Sequence, residues 1–223
     1  MYFVWETRRN PSTEVLVDAF PPVARDYGVS FLASRRFDKE IPELEIRLSL
    51  QEEQALTDDL VITKRRCLIH SQRLIDVLRS VGVDNIDYYP CRIVNELTGH
   101  VIQTHQAANI LDMIYCLDRE HSELEIDEEE PNEIWYINNL KLLYDRLGDV
   151  HIFRLGEAPS IVLVDQVIKQ AVEEAHLTGV MFLPAEGYRD FHGYAMNNPR
   201  NIVGTHDLDP DGPADLVPEQ EVG

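Results

Sequence analysis

Residues 60–91, LVITKRRCLIHSQRLIDVLRSVGVDNIDYYPC, constrain the fold more than any other stretch, because signals for a strand, a capped helix and a second strand follow one another directly. The Ser71 hydroxyl can accept a first-turn N–H that otherwise has no partner, which makes Ser71 the best N-cap candidate in the chain. Leu74, Val77, Leu78 and Val81 recur at helical spacing and predict one buried stripe. Gly82 stands where a helix stop is expected, since glycine enters the left-handed region without a Cβ penalty. Ile86, Tyr88 and Tyr89 form a β-prone run that Pro90 is expected to end. Nothing in this unit is catalytic on its face.

A second stretch repeats the pattern. Residues 161–184 lie over 67–90 without a gap at an offset of 94. Asp165 falls on Ser71, and both are N-cap types. The stripe Ile168, Ala171, Val172, Ala175 falls on Leu74, Val77, Leu78, Val81. Val180 and Phe182 fall on Ile86 and Tyr88, and Pro184 falls on Pro90. Only the prolines and the pair Gln72/Gln166 are identical, so a duplication and the pattern common to any two strand–helix–strand units both account for the match. Either way, helices interrupting runs of strands predict an α+β domain with a mixed, largely antiparallel sheet and a few packed helices, containing two similar units at 67–90 and 161–184.

Elsewhere the signals are shorter. Residues 2–5 read as a first strand and Val15 to Phe20 as a second apolar run. Leu44, Ile46, Leu48 and Leu50 alternate with polar residues, as in a half-buried strand. Leu97-Thr98-Gly99 predicts a turn. Residues 109–118 fit strand and helix periods alike, and their shortness favours a strand. Residues 119–133 carry eight acidic groups against one arginine, a self-repelling density that predicts an exposed loop. Leu140, Leu142 and Tyr144 alternate as a strand would, Gly148-Asp149 suits a tight turn, and His151 to Leu155 gives the next strand. Regular periodicity stops at Arg189. The expected organisation is one domain over residues 1–188, with 1–59 an N-terminal subregion, and an acidic, Pro/Gly-rich flexible tail over 189–223.

The 223 residues carry 40 acidic against 20 basic side chains, a formal charge of −20. A chain so acidic is a poor ligand for nucleic acid or for an anionic membrane, which both need a cationic face, and it suits a basic protein partner. Cys67, Cys91 and Cys116 form an odd, widely spaced set without CxxC, which fits buried thiols in a reducing cytoplasm. MYFVWETRRNP lacks the pattern of a secretory signal, and the apolar runs are far shorter than a membrane span.

The search for chemistry finds no phosphate-binding glycine loop and no nucleophile elbow. His100, His105, His121, His176, His192 and His206 make no HExxH, HxH or His/Cys zinc spacing, so neither a metal nor a cofactor is expected, nor a catalytic residue. Cys67, three residues before His70, sits in an apolar strand where a packed thiol is inert. Arg154, among apolar residues, is expected to be a buried ion-pair partner or an anchor for a chain carboxylate. Tyr88, Tyr89, Trp135, Tyr136, Tyr144, Tyr188 and Tyr194 suit either core packing or contact with a partner.

Two stretches resemble a known family. LVITKRRCLIHSQRLIDVLRSVGVDNIDYYPCRIV with ANILDMIYCLDREHSE, and HIFRLGEAPSIVLVDQVIKQAVEEAHLTGVMFLP, are similar to the myxobacterial-type immunity proteins of bacterial polymorphic toxin systems, long catalogued as a domain of unknown function. Phe153, Arg154, Leu155, Thr178, Gly179, Val180, Phe182 and Pro184 carry the second match. The resemblance implies a cytoplasmic, non-enzymatic protein that binds and neutralises a cognate toxin or effector, here a candidate basic nuclease domain, and protects the producing cell. It leaves self-association open. A cytoplasmic enzyme with a dispersed site around His105, His121 or Cys67, or a secretion adaptor or chaperone for an effector, are the alternatives. The candidate toxin contacts are Glu123, Glu125, Asp127, Glu128, Glu129 and Glu130, with Trp135 as an aromatic anchor; a merely solvated loop is the other reading of the same residues.

Overall fold

The computed structural model describes residues 1–7, 15–16, 27–49, 56–60, 67–129 and 134–189. The chain runs through β1 (Tyr2–Thr7), β2 (Val15–Leu16), β3 (Leu44–Ser49), β4 (Asp59–Leu60) and β5 (Leu68–Ser71) into helix α1 (Gln72–Ser80). Then come β6 (Ile86–Asn95), β7 (Val101–Ile102), β8 (His105–Ile110), β9 (Met113–Ile114), β10 (Glu123–Ile126) and β11 (Ile134–Asn139). β12 (Ile152–Leu155), β13 (Ala158–Asp165), α2 (Gln166–Glu174) and β14 (Val180–Pro184) complete the described elements. Among the pairings of these strands only β3–β6 and β9–β12 run parallel, so the fold is the expected α+β class.

Both helices start where their caps are. The Ser71 hydroxyl accepts the Leu74 N–H at 3.1 Å, and one Asp165 carboxylate oxygen accepts those of Val167 and Ile168 at 3.0 and 3.1 Å. Leu74 and Leu78 are buried in α1, and their counterparts Ile168 and Val172 are buried in α2. The chain leaves the helices in the left-handed region at Gly82 (φ 89°) and His176 (φ 51°), again 94 residues apart.

The repeat extends to the sheets. In the first, ordered β2-β3-β6-β8-β5-β4, the parallel strands β5 and β6 joined by α1 are separated by antiparallel β8. In the second, ordered β14-β1-β13-β12-β9, the parallel strands β13 and β14 joined by α2 are separated by antiparallel β1. The registers coincide. Ser71 faces His105 and Pro90 faces Gln106; Asp165 faces Tyr2 and Pro184 faces Phe3. The Ser71 N–H donates to the Asp58 carbonyl at 2.7 Å, and the Asp165 N–H donates to the His151 carbonyl at 3.0 Å. A generic strand–helix–strand likeness does not reproduce pairing partners, so the two halves are structural copies. Their connectivity differs: β8 follows its half, whereas β1 lies far upstream of the half it completes.

The helix-bearing faces of the two sheets close on a shared core of Phe3, Trp5, Leu74, Leu78, Ile168 and Val172 with their neighbours. Each half also latches a strand of the other. Thr178, in the turn after α2, accepts the Asp59 N–H at 3.1 Å and gives its own N–H to the Asp58 carboxylate at 2.8 Å. Asn85, in the turn after α1, donates to the Ile152 carbonyl at 2.7 Å. Gly179, which corresponds to Asn85, has φ 81° and comes so close that a Cβ would stand 2.2 Å from the Asp59 carbonyl oxygen. The outer face of the first sheet packs under Val29 and Phe31, and that of the second under Ile134, Ile137, Leu140 and Leu147.

Several expectations are corrected. Pro90 does not end its strand: β6 continues to Asn95. The Leu111 N–H donates to the Asn85 carbonyl in the β6–β8 register, so Pro90 falls on a pair whose N–H points away from β8, and no ladder bond is lost. Residues 140–144 form no strand; Leu140 and Leu142 are buried, but Leu142 makes only an isolated bridge to Leu117, and Tyr144 opens a short 3-10 turn. Residues 109–118 supply the end of β8 and the short β9. Of the Val15 to Phe20 run, Val15–Leu16 is a strand and the rest lies outside the described residues, as does the expected tail beyond Arg189.

Two substitutions test the latches. Gly179→Ala is expected to destabilise the protein by about 3 kcal/mol or more in urea unfolding, since both the positive φ and the approach to Asp59 forbid a Cβ. Ser71→Ala removes the cap and the hydroxyl that donates to Asp58 at 2.7 Å, for an expected loss of about 1–2 kcal/mol.

Candidate functional site

The acidic stretch is not the loop its charge predicted. Glu123–Ile126 is strand β10, paired antiparallel with β11, with Glu125 opposite Tyr136 and Glu123 opposite Asn139. The hairpin forms because Ile134 and Ile137 bury themselves against the second sheet's outer face while Leu124 packs at the margin. That apolar seat outweighs the mutual repulsion of carboxylates that remain in water. The register shifts on either side of Leu124 and Glu125 fit the uneven spacing of the buried isoleucines.

The candidate residues are thereby brought onto one element. Glu123, Glu125, Glu128 and Glu129 are exposed and Asp127 is half-buried, while Glu130 lies outside the described residues. Asn138 donates to Glu125 at 2.9 Å, and the Asp127 carboxylate accepts the Glu129 N–H at 2.7 Å, which orders the acidic turn. Trp135 (37% exposed), Tyr136 (38%) and Ile126 (40%) add apolar area to the same hairpin. The result is a carboxylate-rich surface with aromatic patches. Of the other aromatics, Tyr144 is exposed, Tyr89 stacks on Phe37, and Tyr188 is buried and donates to Glu6; Tyr194 lies outside the described residues.

The residues that would have favoured an enzyme do not converge. His105 is buried and bonded to Thr104 and to the Thr57 carbonyl, His121 is at the surface beside Asp118, and Cys67 is a buried thiol pushed well above its usual range by desolvation. Among the described residues no cluster of His, Cys, Asp or Glu could hold a metal ion. Arg154 is fully buried, with Nη1 donating to the Pro159 carbonyl at 2.7 Å. Among the described residues its Nε and Nη2 meet no acceptor, so it clasps its own hairpin instead of a carboxylate. Burial lowers it to about 10, with Cys67 opposing the shift, and it stays cationic at neutral pH.

A buried polar cluster went unseen in the sequence. Asp59 and His70 face each other across β4 and β5, both fully buried, with Asp59 Oδ1 3.8 Å from His70 Nε2. Trp5 donates to Asp59 Oδ2 at 2.8 Å and stacks on the His70 ring, and the Tyr88 hydroxyl lies 3.4 Å from His70 Nδ1. Desolvation, with His105 and Arg154 adding to it, holds His70 at about 3, so its ring is neutral in the fold. The same positions in the other half are apolar: Ile152, Val164 and Phe182 stand for Asp59, His70 and Tyr88. Trp5, Asp59 and His70 are buried and Tyr88 is half-buried, so the cluster is part of the seam between the halves.

The described residues thus form an α+β fold of two large sheets that carries an acidic, aromatic-bearing hairpin. The comparison with curated proteins finds no match. The model of the immunity protein family Imm11 matches residues 9–187, so the chain belongs to that family and is an immunity protein by family. The resemblance read in the sequence therefore holds. No helix among the described residues is long and apolar enough to cross a membrane.

The neutral His70 makes stability pH-dependent. The unfolded chain takes up a proton near pH 6.5 and the folded chain only near 3, so stability is full above about 6.5 and falls below it by up to about 1.4 kcal/mol per pH unit. In urea unfolding at pH 7, 6, 5 and 4, His70→Gln should flatten this dependence; parallel curves would assign the lost stability to other groups.

Proposed function

We propose that this immunity protein acts in the cytoplasm by binding a cognate toxin of the same system and blocking it, with no catalysis of its own. The observation that carries the reading is the family match over residues 9–187. The charge of −20 supports a basic target, and a nuclease domain, whose cationic surface grips phosphates, is the class it suits best. We read the acting unit as residues 1–188. The contact surface is the β10–β11 hairpin: Glu123, Glu125, Asp127, Glu128, Glu129 and Glu130 steer the encounter, and Trp135 supplies desolvated area.

The test is rescue. The product of the adjacent toxin gene is expressed with and without this protein; growth with it and arrest without it is the expected result, and a complex that leaves the toxin active would mean an adaptor. Charge reversal by E123K, E125K, E128K and E129K should weaken binding by about tenfold or more, and raising salt from 50 to 300 mM should weaken the wild-type complex by a similar factor. Affinity that ignores both changes removes the acidic hairpin as the contact.

A further inference from the structure

The two halves differ at one edge. In the first half, β6 is covered on its outer side by this chain: β3 pairs with residues 91–95, Phe37 stacks on Tyr89, and Arg36 reaches Asp87. In the second half the counterpart, β14, ends its sheet, and among the described residues nothing pairs with its outer side. After Pro184 the chain turns away, and Gly187 and Tyr188 bond to Leu140 at the end of β11.

The register says which backbone groups are on offer. The Ala185 N–H donates to the Tyr2 carbonyl in the β1–β14 register. Bonded and non-bonded pairs alternate in an antiparallel ladder, so Met181 and Leu183 are committed to β1, while Val180 and Phe182 direct N–H and C=O outward. Pro184 occupies the third outward position and has no N–H to offer. Edge strands are usually blunted by charge; Val180, Met181, Phe182 and Leu183 carry none, and Met181 is 39% exposed. Beside this edge lies a groove of about 450 Å³ between β14 and α2, lined by Val172, Leu177, Val180 and Phe182 with Glu173 and His176 at its rim. It lies where one side-chain row of an added strand would rest.

We propose that an extended segment of the toxin, apolar at alternate positions and cationic at its flanks, adds to β14 as a further strand. The proposal rests on the reading that the chain neutralises a toxin. Charge selects this occupant over a second copy. Two chains of −20 joined edge to edge repel, whereas a cationic segment meets the carboxylates of the hairpin, to which residues 187–189 connect β14, beside the exposed pairs Lys169–Glu173 and Lys141–Glu186.

Hydrogen exchange on the purified protein, alone and with the toxin that it rescues, tests the register. The Val180 and Phe182 amides should exchange fast in the free monomer and slow by about tenfold or more in the complex, while Met181 and Leu183 are already protected without toxin. M181K, at an exposed position and with an unchanged melting temperature expected, should weaken toxin binding by about tenfold through repulsion of the cationic segment. If wild type neutralises the toxin but Val180 and Phe182 stay fast, or M181K binds as wild type does, the strand-addition proposal is overturned. A dimeric free protein with both amides already slow overturns it too, in favour of a second copy. Failure of wild type to neutralise any adjacent toxin overturns the functional reading itself.

Discussion

Two parallel strands joined by one helix leave room for a strand between them, and in this protein both such gaps must be filled before a core exists. The filler runs antiparallel in each case, β8 in the first half and β1 in the second. Only with both in place do the helix-bearing faces become continuous enough to bury Leu74, Leu78, Ile168 and Val172 between them. The latches at Thr178 and Asn85 depend on the same closure, since each holds a strand belonging to the other half.

The copies have diverged in how they meet. Where one half offers Ile152, Val164 and Phe182, the other offers Asp59, His70 and Tyr88, and Trp5 bridges the difference by donating to Asp59 and stacking on His70. A buried carboxylate and imidazole are costly unless their partners are in position, so this seam tolerates one arrangement of the halves and penalises others. At the turns, Gly179 accommodates a close backbone approach that Asn85 replaces with a side-chain hydrogen bond.

Local chemistry made much of this legible in the sequence. The caps at Ser71 and Asp165, the buried stripes and the two strand–helix–strand units follow from neighbouring residues, and the offset of 94 emerged from them. What the fillers are could not be read, because β1 meets β13 and β14 across most of the chain and period-two patterns do not name their partners. The hairpin was hidden by its own composition: carboxylates dominate residues 123–130, while the residues that seat it, Ile134 and Ile137, follow the acidic run. Pro90 misled because only pairing geometry tells a harmless proline from a strand breaker. The proposal that the hairpin is a contact surface rests on the same acidic and aromatic residues in sequence and in space. Asp59 is one of 40 acidic residues, and nothing in its sequence neighbours marks it as buried.

The position of β1 has a consequence for how the protein is made. Tyr2–Thr7 precedes every other described element in translation, whereas its partners Ala158–Asp165 and Val180–Pro184 are among the last of them. At cellular elongation rates that interval is on the order of ten seconds or more. During it an apolar strand carrying Phe3, Val4 and Trp5 has no ladder to join. The second sheet cannot close until β13 and β14 have been made, so the core that it shares with the first forms late in synthesis.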